Sequence, residues 1–463
     1  MNINPRTHEA YKLFHDGILA LSRAEQAGLR IDVDYIEKKK TFLTKKIEHL
    51  ENKFKQTSFF RHWQHSMKGR VNINSNAQLS AFLYTVKKIK IEKETDSGLG
   101  ATDDEALRQM NIPELNDLLE IRKLKKVRDV YLDGFYREQV DGYIHPSFNL
   151  HLPVTYRSSS DHPNFQNIPA RDEESMLLCR RAIYPRPGHQ FLEVDFKSIE
   201  VAVGACYHKD SNMLKYLNDP ASDMHTDVAK QVFVINSFDR SVPEYEVLRQ
   251  AAKNGFVFPE FYGDYYKNCA VNMACKWGKL GKGHWKAGEG IKMPVGTLAD
   301  HLVSKKIKSL SNFEDHLKKI EKDLWENRFP EYADWKDRWC RTYRKYGYID
   351  LLTGFRCSGV MNEKELVSYP IQGAAFHCLL FSFIQLDEAM VVEKWDTRLV
   401  GQVHDNVILD VNPSELEYVA ETIKQITTKQ LPHKWPWIIT PMEVKMEVCP
   451  IDGNWTQKEK YKI

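Results

Sequence analysis

Two aspartates stand inside apolar runs of the kind that form buried β-strands. Asp195 lies in FLEVDFKSI (191–199) and Asp405 lies in LVGQVHDNVILDV (399–411). A buried carboxylate is costly unless it is paired or binds a metal ion. Two convergent carboxylates suit a pair of divalent ions that stabilise the attacking and leaving oxygens of a phosphoryl transfer. Taken singly, each aspartate is more simply explained as a turn cap or a lysine partner. The metal chemistry therefore requires a fold that brings the two aspartates close together in space.

The elements around these aspartates differ along the chain. The segment 399–411 predicts a buried β-hairpin, and 191–199 predicts a strand. Short strands are also predicted in HPSFNLH and VTYRSS, which follow Gly142. A helix at 413–430 and the strand-like TPMEVKMEV complete the last part. Helical spacing of apolar residues recurs in five segments, at 8–33, 36–55, 114–133, 205–260 and 300–345.

Composition limits the classes of function. A chain of 463 residues predicts about three domains. The net charge is only +3, so any polyanion site must come from local clustering. The 8 cysteines form no CxxC pair, which favours packed thiols in a reducing compartment over disulfides or zinc. The N-terminus has no signal or transit pattern, and no apolar run approaches the length of a membrane span. These features predict a cytoplasmic protein, in a bacterium or an infected host cell.

The stretch 263–296 is rich in glycine and lysine and contains GKLGKGHWKAGEG. It resembles a phosphate-binding loop only loosely, because no GxxxxGK[ST] pattern fits it. A flexible connector is the favoured interpretation.

Seven segments, taken together and in order, resemble family A DNA polymerases, the bacterial DNA polymerase I type. They are TYRSSSDHPNFQNIP (155–169), DFKSIE (195–200, motif A), DMHTDVA (223–229), RQAAKNGFVFPEFYG (249–263, motif B), PIQGAA (370–375), QVHDN (402–406, motif C) and PMEVKMEVCPIDGNW (441–455). NINSNAQL, TDSGLGAT and EIRKLKKVRDVY resemble the family's thumb more weakly. Seven ordered matches are far more specific than any one of them.

The resemblance implies an α+β, right-hand polymerase fold, with an antiparallel palm sheet and helical thumb and fingers. The expected boundaries are an N-terminal helix packed on the palm (1–33), thumb (34–140), palm (141–205), fingers (206–398) and palm again (399–463). The implied activity is template-directed addition of dNTPs to a primer 3′ end, in replication or repair.

The resemblance also assigns the phosphate chemistry. Asp195 and Asp405 would bind two Mg²⁺ ions. Arg249 and Lys253, one helical turn apart, would hold the triphosphate, and Lys253 would protonate the leaving pyrophosphate. His225 would add a phosphate contact. Without the resemblance, these three basic residues would be interpreted as solvated surface.

Nucleotide selection and DNA binding follow from the same resemblance. Glu200 would crowd the sugar 2′ position and select deoxynucleotides. Several polar residues would hold the primer–template duplex, whose minor groove offers acceptors that depend little on sequence. The DNA-binding candidates are Arg157, Gln166, Asn167, Gln372, His404, Arg122 and Lys126.

Motif B contains one residue more than the family pattern. Counting backwards from Gly263 places Phe258 and Tyr262 at the base-stacking positions. Counting forwards from Lys253 would place Val257 and Phe261 there. A π-bulge would absorb the extra residue.

Three other positions depart from the family. Asn406 stands where motif C usually has Glu, and activity is expected to survive because that residue is peripheral to the metals. Pro259 replaces a glycine and is expected to end or kink its helix. Lys364 stands where an arginine is usual.

Family members commonly carry a proofreading domain before the thumb. Here the thumb-like part begins almost at Met1 and no D-x-E signature precedes it, so no 3′-to-5′ exonuclease is expected in this chain. A separate exonuclease or a processivity factor is a candidate partner, and the compact, divergent motifs are compatible with a viral or bacterial source.

Two alternatives to a DNA polymerase remain. A single-subunit RNA polymerase shares the palm, but a small residue would be expected in place of Glu200. A non-catalytic DNA-binding relative would be expected to lose an aspartate or the Arg249–Lys253 pair, and the chain retains all of them.

Overall fold

The computed structural model describes residues 4–91, 95, 98–110, 112–170, 172–219, 221–277, 284–288 and 290–462. The α-helices in this part are α1 His8–Ala27, α2 Val33–Lys55, α3 Ser58–Ser66, α4 Asn76–Ser80, α5 Asp104–Gln109, α6 Pro113–Lys126, α7 Asp133–Glu138, α8 Glu173–Arg180, α9 Ile199–His208, α10 Ser211–Asn218, α11 Met224–Val232, α12 Pro243–Ala252, α13 Phe258–Phe261, α14 Tyr266–Trp277, α15 Leu298–Ser304, α16 Leu310–Asp323, α17 Pro330–Tyr346, α18 Glu363–Glu393, α19 Leu416–Gln425 and α20 Leu431–Lys434.

Turns of π-helix extend or join several of these helices, and one short 3₁₀ turn follows β4. The π-helical turns are Ala81–Val86, Val127–Leu132, Lys253–Val257, Leu324–Arg328 and Ile426–Gln430, and the 3₁₀ turn is Phe165–Asn167. The strands are β1 Leu29–Ile31, β2 Tyr143–Ile144, β3 Ser147–Asn149, β4 Ser159–Asp161, β5 Ile183–Tyr184, β6 Gln190–Phe196, β7 Tyr348–Asp350, β8 Arg356–Ser358, β9 Arg398–Val403, β10 Asn406–Val411, β11 Val444–Val448 and β12 Glu459–Tyr461.

A five-stranded antiparallel sheet carries the two aspartates. Its strand order is β12-β11-β6-β10-β9, so β6 lies at the centre between β11 and β10. Strand β6, which contains the apolar run FLEVDF, is almost entirely buried. Helix α1 packs against β9 and α18. Together with the surrounding helices, this sheet confirms the predicted α+β class.

Segment 8–33 is only partly helical. Helix α1 ends at Ala27, and the φ of 67° at the following Gly28 lets the chain turn. Strand β1 follows and pairs with β2 on one side and with β5 on the other. The first 33 residues therefore contribute a strand as well as the expected helix.

Helix α18 is the longest element, with 31 residues, and it continues through Pro370. By length and apolar composition it is the one described helix that passes as a candidate membrane span, so the prediction that no run approaches that length is wrong here. About 67% of its apolar window is buried inside the protein, against neighbours that include α1 and α9. It is apolar because it crosses the core.

Three further expectations are corrected or completed by the structure. VTYRSS is mostly turn, and only Ser159 belongs to a strand. Part of 263–296 is helical, as α14, while residues 278–283 and 289 of the glycine-rich stretch lie outside the described residues. Seven described cysteines are buried and unpaired, in agreement with packed thiols.

Candidate active site

Asp195 lies next to the end of the central strand β6. Its register partners are Asn406 on β10 and Lys445 on β11. Val194 and Phe196 on either side of it are buried, whereas Asp195 itself is half-buried. Alternation along the strand therefore turns this carboxylate away from the apolar face and into a cleft.

Asp405 lies in the turn of the predicted β-hairpin and not within either of its strands. His404 and Asp405 form the exposed two-residue turn between β9 and β10, and His404 has a φ of 55°. The apolar neighbours Val403 and Val407 are buried, which explains why the segment resembled a continuous buried run. The Asp405 carbonyl accepts a long hydrogen bond of 3.5 Å from the Phe196 amide.

The two carboxylates share one cleft, which also contains Arg157, Lys253 and Lys445. Burial and the Asp405 charge raise the pKa of Asp195 to about 6. Two carboxylates that repel one another in this way form a site that favours a divalent cation. Among the described residues, no cluster of three or more His, Cys, Asp or Glu side chains is placed to hold a metal. A metal here would therefore rely on two carboxylates, with the remaining ligands from backbone, water or substrate.

Motif B enters the cleft through a turn of π-helix. This turn, Lys253–Val257, follows α12 directly and absorbs the extra residue as predicted. Pro259 lies just after it, in the short helix α13, which ends at Phe261. The Lys253 ammonium lies 5.2 Å from the centre of the Phe258 ring, and both line the cleft.

Arg249 is held by two carboxylates outside the cleft. Asp223 accepts hydrogen bonds of 2.7 and 3.2 Å from its guanidinium, and Glu246 accepts another of 3.2 Å. Asp223 also caps α11 by accepting from the amides of His225 and Thr226. Despite partial burial, these bonds lower the pKa of Asp223 to about 2. Sequence reasoning gave Asp223 no role, although an aspartate directly before a helix is a capping signal.

His225 lies in the first turn of α11 and packs edge-on against Phe258, with the ring centres 5.7 Å apart. Its Nδ1 is buried and has no hydrogen-bond partner in the described part of the protein. Burial and the charges of Lys253 and Arg249 lower the pKa of this imidazole to about 4. The ring is therefore neutral near pH 7 and lies beside two cations.

Glu200, in the first turn of α9, joins motif A to motif B. Its carboxylate contacts the guanidinium of Arg157 and accepts a hydrogen bond from the hydroxyl of Tyr262. Burial and the Asp405 charge raise the pKa of Glu200 to about 7, whereas the contact with Arg157 acts in the opposite direction. This contact joins two segments that lie 62 residues apart in the chain.

Gln166 is buried, and its amide is used within the protein. Its Nε2 donates to Gln402 Oε1 at 2.5 Å and to Ser158 Oγ at 2.7 Å. Gln402 also donates to the His404 carbonyl, so this network supports the turn that carries Asp405. Gln402 was missed as a site residue, although it belongs to the quoted QVHDN segment. Asn167 is exposed, and its carbonyl accepts from Tyr131 at 2.7 Å.

Gln372 is half-buried on α18 and does not line the cleft that contains Asp195 and Asp405. Its neighbour Gly373 has a steric role, because a Cβ there would lie 2.6 Å from the Thr155 carbonyl oxygen. This close approach brings the 155–169 segment against α18. Lys364, near the start of α18, pairs with Asp264 at 3.0 Å.

Arg122 and Lys126 separate in the structure. Arg122 is half-buried and donates to the Thr102 carbonyl at 3.0 Å, so it holds the preceding loop. Lys126 is exposed and lies in a recess that also contains Asn167 and His404. Of these two side chains, Arg122 is therefore engaged within the protein, whereas Lys126 lies at the surface.

The chain is similar to known proteins over most of its length. A sequence profile of DNA polymerase family A matches residues 34–277 and 315–457. DNA polymerase I of Streptococcus pneumoniae is 29% identical over 371 residues, which cover 76% of this chain and 37% of that protein. DNA polymerase I of Chloroflexus aurantiacus is 25% identical over 478 residues, covering 99% of this chain and 44% of that protein. The chain thus spans less than half the length of these relatives.

A solved structure is also similar. It is the POL domain of Pol1 from M. smegmatis, in complex with DNA primer-template and dNTP. The TM-score is 0.72 at 22% identity, with 94% of this chain and 69% of that chain covered. This likeness shows the right-hand fold of a family A polymerase domain. The profile, the relatives and the fold agree, and this chain belongs to DNA polymerase family A.

Proposed function

We propose that the protein is a template-directed DNA polymerase that adds dNTPs to a primer 3′ end, in replication or repair. The observation that carries this proposal is the convergence of Asp195 and Asp405, from distant segments, in one cleft with Lys253. Phosphoryl transfer needs positioning and charge stabilisation more than covalent chemistry from the protein. The cleft supplies both.

Membership of the family implies a divalent metal requirement, and we propose two Mg²⁺ ions held by Asp195 and Asp405. When bound, such ions activate the primer 3′-hydroxyl and stabilise the charge on the leaving pyrophosphate. The pKa of Asp195 is raised because burial and the Asp405 charge disfavour its ionised form. A cation bound between the two carboxylates would remove this penalty, since a nearby positive charge favours the ionised form.

The triphosphate would be held by Lys253, Arg249 and His225. Burial and the charges of Arg249 and Lys445 lower the pKa of Lys253, which makes it a stronger acid toward the departing pyrophosphate. Asp223 keeps the guanidinium of Arg249 in one orientation. A phosphate next to His225 would offer an acceptor to its unpartnered ring nitrogen.

Selection of the nucleotide would depend on the contacts of Glu200. The carboxylate is fixed from two sides, by Arg157 and by Tyr262, and therefore resists displacement by a 2′-hydroxyl. Phe258 would support the incoming base, with its ring oriented by His225 and Lys253.

The primer–template duplex would lie along the side of the cleft marked by His404 and Lys126. His404 lines both the catalytic cleft and the recess that contains Lys126. Arg157 would reach the primer end from the same cleft. The roles of Gln166 and Gln372 in minor-groove contact require their side chains to be available. For Gln166, this means release from Gln402.

Primer extension with magnesium tests the proposal. We expect the unmodified chain to extend a primed template with dNTPs and not with rNTPs, and Asp405→Ala to abolish extension while duplex binding is retained. Glu200→Ala should admit rNTPs. Extension with rNTPs by the unmodified chain would favour an RNA polymerase. Duplex binding without any extension would favour a non-catalytic DNA-binding protein.

We further propose a cytoplasmic location and an accessory protein, either a separate exonuclease or a processivity factor. A pull-down from the source cell that recovers neither would contradict the accessory protein. A labelled, mispaired primer tests whether the residues of this chain themselves carry a nuclease. Metal-dependent shortening that survives loss of Asp195 would show a nuclease within the chain.

A further inference from the structure

Lys445 enters the catalytic cleft from the strand on the far side of Asp195. It is the register partner of Asp195 on β11, as Asn406 is on β10. Directly opposed residues of antiparallel strands share one face of the sheet. Accordingly, Lys445 lines the same cleft as Asp195, Asp405 and Lys253.

The charge of Lys445 is available to a ligand. Two nearby lysines are occupied: Lys197 pairs with Glu443 at 2.7 Å, and Lys458 pairs with Glu447 at 2.6 Å. Lys445 is exposed and makes no ion pair with any carboxylate in the part of the chain that the structure describes. An unpaired ammonium beside catalytic carboxylates and another lysine is a site for an anion.

The order of the strands indicates the direction in which a bound phosphate chain would extend across the cleft. Across the cleft, the turn of His404 and Asp405 comes first, then Asp195 on β6, then Lys445 on β11. If the primer end lies at His404 and the reacting phosphate lies at the two aspartates, the remaining phosphates extend toward β11. Lys445 and Lys253 line the same cleft as Asp195, which places Lys445 near this path.

A second recess continues from this point. Lys445 also lines a groove that contains Lys197, Lys424, Lys460 and Lys462. The groove also contains Glu443 and Glu447, of which Glu443 pairs with Lys197. Its lysines outnumber these two carboxylates, so an anion leaving the cleft meets a favourable potential beyond Lys445.

We propose that Lys445 binds the β- and γ-phosphates of the incoming nucleotide, and the pyrophosphate product, from the palm side. It would face Lys253 and Arg249 across the phosphate chain. This inference rests on the proposed polymerase function and assigns a further substrate-binding residue to it.

Equilibrium binding of Mg-dATP, measured by calorimetry, tests the proposal without relying on turnover. We expect Lys445→Ala to weaken binding about tenfold, which corresponds to about 1.4 kcal/mol. Lys445→Arg should retain most of the affinity because it keeps the charge. Binding of Mg-dAMP should not change, because it lacks the two outer phosphates. Lys319→Ala, which removes an exposed lysine on α16, is the matched control.

Kinetics provide a second readout. The KM for pyrophosphate in the reverse reaction should rise by a similar factor in Lys445→Ala, with the Kd for primer–template unchanged. Equal Mg-dATP affinities of the unmodified protein and Lys445→Ala would overturn the proposal. Failure of the polymerase function would look different: the unmodified protein would extend no primer, whatever the dependence of nucleotide binding on Lys445.

Discussion

The carboxylate of Asp223 accepts two hydrogen bonds from the guanidinium of Arg249, at 2.7 and 3.2 Å. The same carboxylate caps α11, the helix that begins with Met224 and His225. One side chain therefore fixes two of the basic groups that the proposed function assigns to the triphosphate.

Asp223→Asn should lower the stability of the protein at neutral pH, and the difference from the unmodified protein should shrink as the pH falls. The pKa of Asp223 is depressed to about 2, so its contribution is present above its ordinary pKa of 3.8 and is lost as the pH falls toward 2. Because the group is partly solvated, we expect a loss of about 1–2 kcal/mol at pH 7. Urea unfolding between pH 2 and pH 7 measures this. Asp315→Asn, at an exposed position on α16, is the control, and an equal effect in both variants would contradict the prediction.

Asp195→Asn should make the metal-free protein more stable while abolishing activity. The pKa of Asp195 is raised to about 6, so its ionised form opposes folding above that pH, and this penalty is relieved as the pH falls toward 3.8. We expect a gain of about 1–2 kcal/mol at pH 7.5 in EDTA. Thermal unfolding with and without Mg²⁺ tests it. Added Mg²⁺ should stabilise the unmodified protein more than the variant, and a variant that melts at a lower temperature in EDTA would contradict this account.

Asn406→Glu, which installs the usual family residue, should destabilise this particular chain. Asn406 Nδ2 donates to Glu193 Oε1 at 2.7 Å, and Glu193 is buried, with further bonds from Trp455 and Lys458. A second carboxylate at position 406 would remove a donor and place two negative charges together. We expect a loss of about 1–3 kcal/mol in unfolding free energy. Asn406→Ala, which removes the donor without adding charge, should lose less. If Asn406→Glu were as stable as the unmodified protein, the prediction would be wrong.

Binding of a triphosphate should raise the pKa of His225. In the free protein this pKa is about 4, because burial and two neighbouring cations disfavour the imidazolium. An anion inserted among these groups reverses the electrostatic part of that shift. Histidine NMR titration with and without a dNTP gives the measurement, with His225→Gln to assign the signal. An unchanged pKa in the presence of saturating nucleotide would remove His225 from the phosphate site.

Parts of this protein follow from sequence alone because their signals are local. Apolar periodicity identified the helices around 36–55 and 114–133 and the hairpin around Asp405. Residue counting in motif B predicted the π-helical turn at Lys253–Val257. Seven ordered motifs identified the family, because each preserves residue types at fixed spacing. None of these inferences needs to know which side chains meet in space.

Contacts between distant segments were decided only by the tertiary structure. Asp405 resembled a buried strand residue because its neighbours are apolar, but the turn exposes it to the cleft. Arg122 and Gln166 are of residue types that often bind DNA. In the structure, however, both donate hydrogen bonds to groups within the protein. The pairing of Asp223 with Arg249 and the register of Lys445 opposite Asp195 join segments far apart in the chain. A sequence fixes which groups are available, whereas burial and strand register decide which of them are paired and which face the substrate.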